Sequence, residues 1–272
     1  ERMTDDINQT LDRLLTAYRA GRTLALLLDY DGTLVPIVEH PSLAVLAPET
    51  RDVLRHLATL PRVVVGIVSG RSLDDLKSMV GLPGLCYVGT SGLEYELHGT
   101  RFAHGDSHEV HELLAQVSKR LTEITQSYPG ASLEQKPLGL TLHYRKVAAD
   151  RLPELRARAD SILAQFDGVL RVTDGPMALE ITPDLGWTKG TAVRLLCKQL
   201  GTEVLPLYAG DHANDADALA AAAALGGIAI GVGPAAPSTT EHRLADPAAV
   251  IKLLRLSLGC LTCGGPQATD TT

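Results

Sequence analysis

Apolar residues along the chain change period in a way that marks its elements. Ile7, Leu11, Leu14, Leu15 and Tyr18 recur at helical spacing and Gly21 follows, so the chain opens on a packed amphipathic helix. Residues 24–28 are continuously apolar and end at Asp29, the pattern of a strand covered on both faces of a parallel sheet. A helix is expected after Pro48, with Val53, Leu54 and Leu57 inward, then a β-branched strand over 63–68 ending at Ser69-Gly70-Arg71. A helix over 73–80 stops at Gly81, and a strand over 85–88 runs into Gly89-Thr90-Ser91-Gly92. Such alternation predicts a doubly wound parallel α/β sheet.

Beyond Gly99 the pattern becomes α+β. A helix over 110–124 precedes strands at 132–135 and 140–144, and a helix over 150–166 precedes strands at 170–173 and 177–181. The α/β pattern then resumes with a helix over 188–200, a strand over 204–209, an alanine-rich helix over 214–224 and a strand over 227–232. The expected organisation is a Rossmann-like core, 1–103 and 184–263, interrupted by an α+β unit at 104–183 and followed by a frayed tail at 264–272.

Composition narrows the class of partner. With 272 residues, 45% of them apolar and 21% charged, the chain has material for a sizeable core. A net charge of −7 offers no basic field for nucleic acid or an anionic membrane, which favours a small-molecule partner. No apolar run is long enough to span a bilayer and the start lacks a signal-peptide core, so a cytoplasmic location is expected. Cys86 and Cys197 sit in apolar stretches and are read as buried thiols. Cys260 and Cys263 lack the further ligands of a zinc site and are read as incidental.

In an open parallel sheet ligands bind beyond the carboxyl ends of the strands, where loops from separate strands converge. Here those loops read Asp29-Tyr30-Asp31-Gly32-Thr33-Leu34, Ser69-Gly70-Arg71, then Lys189 and Gly210-Asp211-His212-Ala213-Asn214-Asp215. In this order they resemble the haloacid dehalogenase superfamily of phosphatases, whose first loop is Asp-x-Asp-Gly-Thr and whose last is Gly-Asp-x-x-x-Asp. The resemblance implies that Asp29 attacks phosphorus to form an aspartyl-phosphate, and that Asp31 protonates the leaving oxygen and then activates water. It implies Mg2+ held by Asp29, the main-chain carbonyl of Asp31 and Asp211, with Asp215 in the same acidic cluster as ligand or as support. It also implies that Ser69, Gly70 and Lys189 grip the phosphoryl group. The plainer alternatives are that Ser69 caps a helix, Lys189 is a solvated charge and Asp215 a helix-start residue.

The inserted unit resembles the larger, α/β kind of cap in that superfamily, a lid that excludes water. Glu134 and Lys136 share one face of a strand, as do His143 and Arg145, which suits either a polyhydroxylated ligand or cross-strand ion pairs. Glu134-x-Lys136, His143-Tyr144-Arg145 and Gly175-Pro176-Met177-x-x-Glu180 are similar to cap signatures of trehalose-6-phosphate phosphatases. That resemblance implies sugar contacts from Glu134, Lys136, His143, Arg145 and Glu180, with Arg71 and Glu94 also on the substrate. Two loops depart from the family: Ser91 replaces a histidine, and His212, Asn214 and Ala216 replace Asp, Thr and Glu in the last acidic loop.

The expected reaction is hydrolysis of trehalose 6-phosphate to trehalose and phosphate, by a monomer supplied by a separate synthase. The alternatives are a phosphatase for sucrose 6-phosphate or a hexosyl-3-phosphoglycerate, a phosphomutase, and a sugar-phosphate binding protein without chemistry.

Overall fold

A computed structural model describes residues 2–106 and 108–264 of the chain. The tail expected over 264–272 falls outside the described residues except for Gly264. Helix α1 (Arg2–Arg19) leads into β1 (Thr23–Asp29), α2 (Pro48–Thr59), β2 (Val63–Val68), α3 (Leu73–Val80) and β3 (Cys86–Gly89). The side chains of β1 explain its continuous apolar run. Leu24, Leu26 and Leu28 join one buried cluster while Ala25 and Leu27 join another, so both faces of the strand are covered. Helix α3 matches its sequence signals at both ends: the Ser72 side chain accepts from the Asp75 N–H, and Gly81 closes the helix in the left-handed region.

Two strands follow that the sequence pattern did not announce, β4 (Glu94–Leu97) and β5 (Thr100–Ala103), an antiparallel hairpin at the edge of an otherwise parallel sheet. Then come α4 (His108–Thr125), β6 (Ser132–Lys136), β7 (Gly139–His143), α5 (Leu152–Leu163), β8 (Leu170–Gly175) and β9 (Ala178–Pro183). These four strands form a separate antiparallel sheet in the order β6-β7-β9-β8. Val117 and Leu121 of α4, Leu140 and Leu142 of β7 and Leu155 of α5 pack under it as a core of its own.

The first sheet is completed by α6 (Lys189–Leu200), β10 (Val204–Gly210), α7 (Ala216–Ala224), β11 (Ile228–Val232), β12 (His242–Leu244) and α8 (Pro247–Gly264). Its strand order is β12-β11-β10-β1-β2-β3-β4-β5. The chain moves outward from β1 through β2 to β3, then returns on the other side of β1 as β10 and β11. The carboxyl ends of β1, β2 and β10 therefore flank a topological switch point, where such sheets bind ligands. Cys260 and Cys263 lie on the last turns of α8 and are free thiols, as are the buried Cys86 and Cys197. Among the described residues no helix is long and apolar enough to cross a membrane.

Candidate active site

Asp29 ends β1, and Asp211 directly follows β10, the strand hydrogen-bonded beside it. Gly32 makes this proximity possible: its φ is +90°, and a Cβ there would collide with the Asp211 carboxylate. Lys189, the first residue of α6, is buried, and its Nζ donates to Asp29 Oδ1 and Asp215 Oδ1, both at 2.8 Å. One of its three N–H donors remains.

Asp215 is fully spent. Its Oδ1 accepts from Lys189 and from the Tyr208 hydroxyl at 2.7 Å, and its Oδ2 accepts the main-chain N–H groups of Asp211 and His212, both at 3.2 Å. Four bonds saturate a carboxylate. Asp215 therefore holds the acidic loop and Lys189 in place, and Gly210 is required beside it because a Cβ would run into its side chain.

Oxygens of Asp29, Asp211 and Asp215 can all lie within 4.8 Å of one another. Burial, and then the Asp215 negative charge, raise the Asp29 carboxyl well above the usual carboxylate range despite Lys189. Burial and Asp215 likewise push Asp211 up to about 7. Lys189 is driven the other way: burial alone would lower it, but Asp215 and Asp29 outweigh that and raise it. Three carboxylates thus face one ammonium, a surplus of negative charge on hard oxygen donors that fits a divalent cation.

The raised Asp211 carboxyl sets a stability test on metal-free protein. Its folded-state value lies above its unfolded value near 3.8, so its contribution is present below about pH 4 and is lost as pH rises through about 7. In EDTA, Asp211→Asn is expected to match the parent's melting temperature near pH 4 and to exceed it near pH 8. An equal or lower melting temperature for the variant at pH 8 would contradict this charge surplus.

Asp31 sits in the fork of Arg71, whose Nε donates to Oδ2 at 2.7 Å and whose NH2 donates to Oδ1 at 2.8 Å. Arg71 also donates to Asp75 at 2.8 Å and to the Pro41 carbonyl at 2.7 Å. With four donor bonds to protein, Arg71 organises the site, and it also lines the cavity where a substrate contact is expected of it. Ser69 Oγ accepts the Arg71 N–H at 3.1 Å, which leaves its hydroxyl proton free to donate.

These groups line a cavity of about 630 Å3 whose opposite wall comes from the four-stranded sheet. Asp29, Asp31, Ser69, Gly70, Arg71, Lys189, Asp211, His212 and Asn214 face Glu134, Lys136, His143, Arg145 and Glu180 across it. The two walls touch. Lys136 Nζ donates to the Gly70 carbonyl at 2.6 Å, the Ser91 hydroxyl donates to Glu180 Oε2 at 2.7 Å, and a Cβ on Gly70 would strike Glu180. His143 Nε2 pairs with Glu134 Oε2 at 2.8 Å, and Arg145 donates to the Pro176 carbonyl at 2.9 Å. The Glu134 carboxyl is lowered: burial opposes this, but the His143 hydrogen bond and the Lys136 charge prevail.

Glu94 is a correction, because it does not line the cavity. Buried at the start of β4, it accepts from Thr90 Oγ1 at 2.6 Å, Arg101 NH2 at 2.7 Å and the Leu73 N–H at 3.4 Å, so its carboxylate serves the N-terminus of α3. Conversely, sequence reasoning missed the stretch 37–42, which forms part of the cavity wall, and Tyr208, which fixes Asp215. The stretch lies in a long segment between a strand end and the helix at Pro48, a position where loops carry function. Tyr208 has no such signal, being one more apolar-looking residue within β10.

Comparisons with the sequences of known proteins agree on one family. The model of the trehalose-phosphatase family matches residues 27–246. A probable trehalose-phosphate phosphatase 2 of Oryza sativa subsp. japonica is 33% identical over 265 residues, covering 86% of this chain and 68% of the rice protein. Trehalose-phosphate phosphatase B of Arabidopsis thaliana is 34% identical over 258 residues, covering 89% and 68%. In structure, the C-terminal domain of the C. albicans trehalose-6-phosphate phosphatase superposes with a TM-score of 0.78 at 23% identity, covering 92% of this chain and 96% of that one, which speaks for the fold.

Proposed function

Since the chain belongs to the trehalose-phosphatase family, we propose that it hydrolyses trehalose 6-phosphate to trehalose and phosphate through an aspartyl-phosphate on Asp29. The observation that carries this reading is the two-walled cavity, with a crowded carboxylate cluster on one side and polar, sugar-compatible side chains on the other. The four-stranded unit is read as a cap that shields the reacting phosphate from water.

Asp29 Oδ1 is engaged by Lys189, so attack on phosphorus is assigned to Oδ2. The P–O bond to the sugar breaks as the Asp29–phosphorus bond forms, and the sugar oxygen takes a proton from Asp31. Each Asp31 oxygen keeps a second lone pair while held by Arg71, so the carboxyl carries its proton without leaving the fork. Asp31 then removes a proton from water, which attacks the phosphoryl group and frees Asp29. The remaining Lys189 N–H and the Ser69 hydroxyl supply donors for phosphoryl oxygens.

Mg2+ is the cation proposed for the carboxylate surplus, held by Asp29, Asp211 and the Asp31 carbonyl; it would neutralise phosphoryl charge when bound. Asp215, with both oxygens occupied, is assigned to support. On the cap side, Glu134, Lys136, His143, Arg145 and Glu180 are assigned to the sugar. The Ser91–Glu180 hydrogen bond supports the trehalose reading despite the departure at Ser91, because Glu180 remains anchored at the cavity. The reading extends to a cytoplasmic monomer acting on a small sugar phosphate.

Phosphate release from a panel of phosphorylated disaccharides tests the assignment. Trehalose 6-phosphate is expected to give the highest kcat/KM, with activity abolished by EDTA and restored by Mg2+. Faster release from sucrose 6-phosphate would assign the sugar differently.

A further inference from the structure

The cavity wall at 37–42 belongs to neither the catalytic loops nor the cap, and its position is fixed from the catalytic side. Arg71 binds Asp31 with one edge and donates to the Pro41 carbonyl at 2.7 Å from the same NH2. The buried Tyr30 hydroxyl, one residue from both proposed catalytic aspartates, donates to the Ala44 carbonyl at 2.7 Å. The wall thus begins one guanidinium away from the carboxyl proposed to protonate the leaving oxygen. A sugar attached to that oxygen would occupy the cavity that this wall helps to line.

Glu39, His40 and Ser42 are the polar residues on this wall, and His40 is the one that brings a ring N–H donor. It precedes the short helical turn at Pro41–Leu43, and its Nδ1 accepts the Ser42 main-chain N–H at 3.3 Å and lies 2.8 Å from Ser42 Oγ. With Nδ1 used as an acceptor, the neutral ring carries its proton on Nε2. Only Nδ1 is engaged by the described residues, and His40, an exposed residue, lines the cavity. Ile37 and Val38 add apolar surface beside it, suited to the C–H face of a pyranose.

We propose that His40 is a specificity-determining residue, donating from Nε2 to a hydroxyl of the leaving sugar from the core-side wall formed by residues 37–42. This inference rests on the disaccharide phosphatase reading above and adds a contact opposite the cap. Asparagine can keep the main-chain acceptor, because its side-chain oxygen serves as a cap to the Ser42 N–H, while it removes the Nε2 donor. His40→Asn therefore isolates the proposed contact from the shape of the loop.

The test compares parent and His40→Asn on trehalose 6-phosphate and on p-nitrophenyl phosphate, each with Mg2+. KM for trehalose 6-phosphate is expected to rise about five- to tenfold, the worth of one neutral hydrogen bond, with kcat within about twofold. The ratio of kcat/KM for the two substrates should fall by the same factor. An unchanged KM in an active variant overturns the inference, as does a parallel loss on both substrates, which would mark His40 as a support of the catalytic loops. A parent active on p-nitrophenyl phosphate but inert on trehalose 6-phosphate would overturn the substrate assignment and this inference together.

Discussion

Asp29→Asn is expected to lower phosphate release from trehalose 6-phosphate by at least about 10^3-fold and, in metal-free protein, to raise the melting temperature. The first effect follows from the proposed role: an amide oxygen is a poor nucleophile toward phosphorus, and no other residue stands at the end of β1 to replace it. The second follows from electrostatics. Asp29 is buried beside Asp215 and Asp211, and its carboxyl is held well above the usual range, so the folded protein resists its ionisation. A neutral amide removes one anion from the cluster and leaves Lys189 its bond to Asp215. Each kcal/mol gained corresponds to about 2–4 °C at this chain length. Phosphate release together with thermal unfolding in EDTA tests both halves. Retained activity would move the nucleophile elsewhere, and a lowered melting temperature would mean that the Asp29–Lys189 bond outweighs the repulsion.

This opposition between function and stability was visible in the sequence only in part. A strand that is apolar on every position and then ends in an acidic residue states its own topology, since only a sheet covered on both faces accepts such a run. Once β1, β2 and β10 are placed, Asp29, Ser69 and Asp211 meet by geometry. The partners of Asp215 were legible only in part: the His212 N–H, three residues before it, is the N-cap donor of a capping box, whereas Tyr208, inside a buried strand, carries no such signal. Glu94 shows the reverse. Its place in a family-like motif suggested a ligand contact, but Thr90, Arg101 and the start of α3 enclose it. The β4–β5 hairpin escaped notice because its strands are four residues each, one exposed throughout, and the turn between them carries positive φ at both His98 and Gly99. Helix α8 was legible and went unassigned: Pro247 opens it, and Val250, Leu253, Leu254 and Leu261 form its buried stripe.

Lys189→Met is expected to destabilise the protein by about 3–5 kcal/mol and to abolish measurable turnover, because it removes the ammonium from a buried site and leaves the anions behind. The ammonium is 2% exposed and bridges Asp29 and Asp215, which lie 160 and 26 residues away along the chain. Methionine fills a similar volume, so the loss measures charge rather than a cavity. A second substitution separates the structural from the catalytic role. In Lys189→Met/Asp215→Asn the unpaired charge at Asp215 is gone, while the amide oxygen can accept the Asp211 and His212 N–H groups and its NH2 can donate to the Tyr208 hydroxyl oxygen. Chemical denaturation should then show the double variant to be more stable than Lys189→Met alone, a positive coupling in the mutant cycle. Turnover should not return, because the phosphoryl group still lacks its ammonium donor. Recovery of both stability and activity would make Lys189 a counter-ion to Asp215 alone. Recovery of neither would place the energetic weight of Lys189 on Asp29.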